Sequence, residues 1–314
     1  MKSFPESILC ATDFSDHATT ALRWASYFSN LFQTPLHLFH AIHFPQDQIH
    51  ASDLIGKSSK IKRLESEARK KMEHYEWLAE NSAAIHSLIR FGDPVETLTD
   101  HLKKMSSALV VSGRRGFTAL QRAVMGSVIE RLSRNLPCPL LVVPGDAVIP
   151  PAINRIGVCC SSPKGRSPVL TTAVLLARVT GAAIHVLHVL GAPPQTPSSV
   201  EASLSYESAQ EKAEQRLHRQ LSVSLTDHGL DPNRVVPAIR HGNTGEQILS
   251  FLADNPVDLF VVGVRRRTRL GKLLVGSTTE ALLRHCRSPV MTVPVVPNKQ
   301  IRRTRNEDTH ERSL

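Results

Sequence analysis

Long apolar runs, paired cysteines and aromatic side chains are scarce in this 314-residue sequence. No stretch of about 18 uncharged apolar residues occurs, which argues against a membrane-spanning helix. The chain reaches Glu6 and then Asp13 before a signal-type apolar segment can form, so a cytoplasmic location is expected. Five cysteines (Cys10, Cys138, Cys159, Cys160 and Cys286) are odd in number and contain no C-x-x-C pair. That pattern fits reduced core thiols better than a disulfide framework or a zinc site. Aromatics make up 5% of the residues, which leaves little to stack on bases, and no helix-turn-helix, zinc-finger or RNP signature is present.

What is present suits an ordinary folded chain. Apolar residues account for 41% and charged residues for 21%, and the length suits two domains. The formal net charge of +10 is unevenly spread: residues 1–150 hold 17 basic and 15 acidic side chains. The excess therefore falls on the second half, at Arg265, Arg266, Arg267 and Arg269 and in the tail at Arg302, Arg303 and Arg305. A basic cluster without a reading motif is expected to be a solvated or anion-binding loop, so nucleic acid is not an expected partner.

Self-similarity at an offset of 150 residues organises the chain. Arg90-Phe91-Gly92-Asp93 aligns with Arg240-His241-Gly242-Asn243, and Val110-Val111-Ser112-Gly113 with Phe260-Val261-Val262-Gly263. Gly126-Ser127 falls on Gly276-Ser277, and the run from Cys138 to Pro144 on the run from Ser288 to Pro294. In each unit short β-branched runs alternate with segments of helical period, which predicts a parallel α/β sheet. Strands are expected near 7–11, 36–42, 85–91, 109–112 and 140–143, with helices near 17–32, 60–81, 95–105 and 127–135. The second unit places strands near 155–160, 183–190, 235–240, 259–262 and 290–293. Residues 44–60 and 191–199 read as polar loops able to cap a site, and residues 144–151, rich in proline, as the joint. The expected domains are 1–146 and 151–297, followed by a disordered charged tail, 298–314.

The fourth strand of the first unit runs into Gly113-Arg114-Arg115-Gly116, then nine residues, then Gly126-Ser127 opening a helix. Glycines allow close backbone approach, and a helix N-terminus offers N–H donors and positive potential, so this segment suits a phosphate. The Ser127 hydroxyl has two candidate jobs: capping its own helix or binding a phosphate oxygen. Asp13 ends the first strand, at the carboxyl edge where open α/β sheets bind ligands; the alternative is a helix cap, since Asp13 or Ser15 precedes the next helix.

These residues resemble the universal stress protein family. Its G-x2-G-x9-G-[ST] pattern is matched by Gly113, Gly116, Gly126 and Ser127, its strand-one aspartate by Asp13, and its G-D-P by Gly92-Asp93-Pro94. Its terminal C-P-x-x-V-x-P is matched by Cys138, Pro139, Val142 and Pro144, and the resemblance covers roughly residues 3–296. It implies two tandem five-stranded parallel sheets with helices on both faces, a Rossmann-like α/β class, and ATP between strands one and four, with or without Mg²⁺. By that resemblance Asp13 contacts adenine or ribose, Ala41 the adenine edge, and Gly113, Gly116, Gly126, Ser127 and Val128 the ribose and phosphates. Arg114 and Arg115 add positive charge. Family members pair their last strands between domains, so an intrachain pseudo-dimer is expected, with a homodimer as a further option. The second unit departs from the pattern: Ser161 stands in place of Asp13 and Arg266 in place of the middle glycine, so ATP is expected in the first unit alone.

No G-x4-G-K-[ST] segment, S-G-G-x-D-S loop or H-x-G-H motif occurs, and the fifteen histidines show no H-E-x-x-H spacing. His37, His40 and His43 divide between the faces of a strand. The expected function is an ATP-responsive stress or regulatory module with an unidentified protein partner and no assigned catalytic residue or metal ligand. Slow ATP hydrolysis, or an anion-binding scaffold in the second half, are the alternatives.

Overall fold

The computed structural model describes residues 5–43, 54–105, 108–116, 125–159, 167–191, 229–265 and 276–295, with isolated positions between 208 and 219. The first repeat runs β1 (Ser7–Ala11), α1 (Asp16–Phe32), β2 (Leu36–Ile42), α2 (Leu54–Leu78), β3 (Ile85–Phe91), α3 (Pro94–Leu102), β4 (Ala108–Gly113), α4 (Ser127–Asn135) and β5 (Leu140–Val143). The second runs β6 (Arg155–Cys159), α5 (Pro168–Thr180), β7 (Ala183–Leu190), β8 (Val235–His241), α6 (Thr244–Asp254), β9 (Leu259–Arg265), α7 (Ser277–His285) and β10 (Val290–Val295). The tail, Cys160, Ser161 and Arg266 lie outside the described residues.

Local chemistry sets the element ends. Ser15 caps α1 by accepting from the Ala18 N–H at 3.3 Å, and the helix closes at Gln33 in the left-handed region with φ 52°. Proline at the first position follows an Asp93 cap in α3 and a Ser167 cap in α5, whose end is a left-handed Gly181. The helix α2 starts at Leu54, inside the segment 44–60 expected as loop. Gly56 costs about 1 kcal/mol in a helix interior. Extending an existing helix adds one hydrogen bond per residue without a new nucleus, so a 25-residue helix absorbs that cost.

The ten strands among the described residues form one sheet in the order β3-β2-β1-β4-β5-β10-β9-β6-β7-β8. Each repeat is a parallel five-stranded sheet, and the two meet antiparallel, with Val290 opposite Val142, Met291 opposite Leu141 and Thr292 opposite Leu140. The last strands of the repeats are therefore interior strands, and the expected intrachain pairing is present. A lone repeat would expose that edge. Leu140, Leu141, Val142, Val290 and Met291 are buried there, each side chain worth about 1.5–3 kcal/mol of apolar transfer. The outer edges are β3, which exposes Ser87 and Arg90, and β8, which carries Pro237.

Two apolar layers flank the sheet, and both cross the repeat boundary. One packs α1 and α5 on the first face through Trp24, Phe28, Leu170 and Val174. The other packs α3, α4, α6 and α7 on the opposite face through Leu98, Ile129, Ile248 and Leu282. Of the cysteines, Cys10, Cys138, Cys159 and Cys286 form no disulfide, and burial pushes the Cys10 thiol up to about 12, so it stays protonated as core filler. No helix among the described residues is long and apolar enough to cross a membrane.

Candidate functional site

Strand order reverses between β1 and β4, and a cleft of about 380 Å³ opens at their carboxyl ends. Such a switch point is where open α/β sheets take ligands. Asp13, Ala41, Gly113, Gly116, Gly126, Ser127 and Val128 all line this cleft. Seven residues spread over 116 positions are thus brought together by four elements, β1, β2, β4 and α4, or the turns beside them.

The chain turns out of β1 through Phe14, a non-glycine residue in the left-handed region at φ 62°. That turn is held by the Phe14 N–H donating to Thr12 Oγ1 at 2.9 Å and by the Phe14 ring lying 4.3 Å from His40. Asp13 then projects to the mouth. Its Oδ1 accepts from the Ser15 N–H at 3.1 Å and from the Ser15 hydroxyl at 2.6 Å, while Ser15 caps α1. Ser15 is thus the cap, and Asp13 orients it while also lining the cleft.

The three loop glycines serve different ends. A Cβ on Gly113 would lie 2.7 Å from the His17 carbonyl oxygen, so this glycine lets the first turn of α1 press on the end of β4. A Cβ on Gly116 would lie 2.5 Å from Asp13 Oδ2, so the carboxylate rests directly on bare backbone. Gly126 is different, because an added Cβ would find nothing closer than 3.4 Å. Packing does not require this glycine, and a side chain there would occupy the cleft.

Gly126 is also the N-cap of α4, and no side chain caps that helix among the described residues. Ser127 is the first helical residue and is exposed, so the capping role weighed for its hydroxyl is not the one it takes. The free N–H groups of α4 and the positive end of its dipole therefore face the cleft. Helix α4 is held in place by Arg131, whose guanidinium bonds both Asp93 oxygens at 2.6 and 2.9 Å. Asp93 in turn caps α3 through Val95 and Glu96, and the Arg131 guanidinium is the main reason its carboxyl is held below the usual carboxylate range.

Arg114 departs from the expected geometry. It does not line the cleft; its side chain, 8% exposed, crosses to the second repeat and donates to the carbonyls of Arg284 and Cys286. Residues 113–116 turn sharply, so adjacent side chains diverge, and it is Arg115 that lines the cleft. Phe39, His43 and Leu98 line the cleft as well and were missed in the sequence. A period of two from Ala41 picks out Phe39 and His43, whereas Leu98 carries the same apolar signature as any core position. His37 and His40 do fall on opposite faces, His37 near His101 of α3 and His40 against Phe14, with His40 Nδ1 2.8 Å from the Thr12 carbonyl. Among the described residues no group of three His, Cys, Asp or Glu is arranged to hold a metal ion.

The model of the Universal stress protein family matches residues 5–144 and again 152–294. The chain belongs to the universal stress protein family. Universal stress protein Slr1230 of Synechocystis is 25% identical over 185 residues, 59% of this chain and 57% of that one. Universal stress protein MJ0531 of Methanocaldococcus jannaschii is 35% identical over 88 residues, 27% of this chain and 49% of that protein. The chain thus spans about half the length of these two relatives. Universal stress protein MT2698 of Mycobacterium tuberculosis is 24% identical over 290 residues, covering 90% of this chain and 95% of that one. A solved universal stress protein from Archaeoglobus fulgidus superposes with a TM-score of 0.62 at 18% identity, covering 94% of this chain and 99% of that chain, and so shares the fold.

In this universal stress protein the second crevice is built differently. β9 does not turn at Gly263 but continues to Arg265, paired with Val295 of β10. Gly263 is therefore inside a strand, where a Cβ would meet the methyl ends of Val169 and Val295 at 3.0 Å. Gly276 caps α7 without a side-chain bond, as Gly126 does α4.

Proposed function

We propose that the first-repeat cleft binds an adenine nucleotide, ATP, and that the chain acts as a nucleotide-responsive stress or regulatory module. The observation that carries this reading is the convergence of an uncapped helix N-terminus, Arg115, bare backbone at Gly116 and the Asp13 carboxylate on one cleft. The first two favour phosphate charge, with or without Mg²⁺, and a carboxylate at the mouth suits ribose hydroxyls. Ala11, Phe39 and Leu98 supply an apolar wall for a flat base, and about 380 Å³ lies within the usual range for small-molecule sites. Binding is the output in this reading.

The test is to release and identify nucleotide from freshly purified protein, then titrate ATP with Mg²⁺ by calorimetry into wild type, Asp13→Ala and Gly126→Asp. One saturable site lost in Gly126→Asp supports the reading. Aspartate at an N-cap stabilises a helix, so this variant stays folded while placing negative charge where phosphate would sit. Asp13→Ala also frees Ser15, and a thermal melt separates that cost from the loss of a ligand contact. Absence of heat in wild type overturns the proposal.

A further inference from the structure

Arg114 joins the turn that borders the first cleft to the second repeat. Its N–H donates to the Val143 carbonyl at 2.8 Å, and its own carbonyl accepts from the Gly126 N–H at 3.2 Å. Its main chain thus ties the end of β5 to the N-cap of α4, on the cleft wall. Its side chain leaves in the other direction. Nη1 donates to the Arg284 carbonyl at 3.3 Å, and Nη2 to the Cys286 carbonyl.

Those carbonyls close α7, where a helix leaves acceptors unpaired and its dipole is negative. A buried guanidinium is thus paired with the group that needs it. Helix α7 opens at Gly276-Ser277, the second repeat's counterpart of Gly126-Ser127. The mirror position of Arg114 is Val264, which lines a small crevice with Leu136 and Cys138 at the end of α4 and has no charge to offer. The link runs from the first cleft to the second repeat and has no counterpart at the mirror position.

We infer that Arg114 is a coupling residue, through which occupancy of the first cleft changes the order of the α7 C-terminus in the second repeat. The inference rests on the nucleotide reading of that cleft. A ligand that draws the 113–116 turn and the first turn of α4 together displaces the Arg114 main chain. Breaking the side-chain bonds would strand buried donors and acceptors, so the end of α7 follows instead. Coupling of this kind is reciprocal, and loosening the end of α7 alters affinity at the first cleft by the same factor.

Hydrogen exchange on the full-length chain, without and with saturating ATP and Mg²⁺, tests this in wild type, Arg114→Met and Arg114→Lys, with calorimetry confirming occupancy of each. Without ligand, Arg114→Met is expected to speed exchange about fivefold or more in residues 284–288, and Arg114→Lys less. With ATP, wild type is expected to slow exchange there by a similar factor while Arg114→Met shows no change. Unaltered exchange in ligand-free Arg114→Met, or equal slowing in both proteins at saturation, overturns the coupling. Absence of ATP binding in wild type overturns the nucleotide reading first and the ligand-driven coupling with it. If Arg114→Met does not fold, the comparison between wild type and Arg114→Lys decides, since equal exchange in both states would remove the side chain from the link.

Discussion

The two repeats share a strand order and solve the same packing problem with different side chains. On the first central strand pair Leu9 lies opposite Val110; at the matching place in the second repeat Gly157 lies opposite Phe260. A Cβ on Gly157 would sit 2.6 Å from the Phe260 ring, so the ring fills the space that Leu9 fills in the first repeat. Asp93 and Arg131 lock α3 to α4 by a bidentate ion pair. Their counterparts are Asn243, which still caps α6, and Ala281, which has no charge to pair with it. The fold therefore depends on total volume and cap chemistry more than on residue identity, whereas the cleft depends on where one strand stops: β4 ends at Gly113, and β9 continues to Arg265.

The largest expected effect comes from mixing the two core solutions. Gly157→Leu forces overpacking against Phe260 and is expected to destabilise by about 3 kcal/mol or more, and Phe260→Val opens a cavity costing on the order of 2–3 kcal/mol. The double variant reproduces the first repeat's pair and is expected to recover most of both losses. Urea unfolding of the three variants checks this, and additive losses would refute the volume exchange.

Next in size is the contrast between Gly113→Ala and Gly263→Ala. The first pushes on the backbone of α1 at His17 and is expected to cost about 1–3 kcal/mol; the second meets valine side chains at 3.0 Å, which need to give by only a few tenths of an ångström, and is expected to cost about 1 kcal/mol or less. Equal costs would show that the two strand ends are alike after all. A smaller change is expected for Arg131→Ala, because the pair with Asp93 is partly exposed and Asp93 keeps its cap bonds: about 0.5–1 kcal/mol, read from the urea midpoint. The same variant made on an Asp93→Asn background, which copies the second repeat, is expected to cost little more.

The smallest effect separates the repeats by pH. Burial lowers His17, His37, His40 and His101 in the first repeat, and His185 in the second. A histidine lowered on folding stabilises the native state above its unfolded value near 6.5, and that contribution is lost as pH falls through the folded value. The first repeat is therefore expected to weaken more between pH 7 and pH 5. Trp24 and Trp77 both lie in it, so urea midpoints from tryptophan fluorescence at the two pH values report on that half, and a constant midpoint would contradict the expectation.

Much of the candidate site was legible because its residues lie at strand ends and helix starts, and those follow from short-range pattern. Gly113, Gly116, Gly126 and Ser127 are spaced along one crossover, and Asp13 ends a run of strand period. Phe39 and Leu98 were not legible as site residues, since an apolar side chain facing a cleft and one facing a core obey the same periodicity. Arg114 and Arg115 could not be distinguished either. Neighbouring positions in a turn have no fixed period, and only the docked second repeat offers Arg114 the carbonyls that draw it away.

By itself the sequence determined the repeat, the alternation of strands and helices, and the glycine crossover, because each rests on a pattern within a few residues along the chain or on its recurrence. Tertiary structure decided the rest: that β5 and β10 join two sheets into one, that Gly157 yields its space to Phe260, that Ser127 leaves its helix uncapped toward the cleft, and that Arg114 reaches into the other half. Three of these depend on groups more than a hundred residues apart, whose meeting is set by the burial of sheet edges and the pairing of buried polar atoms.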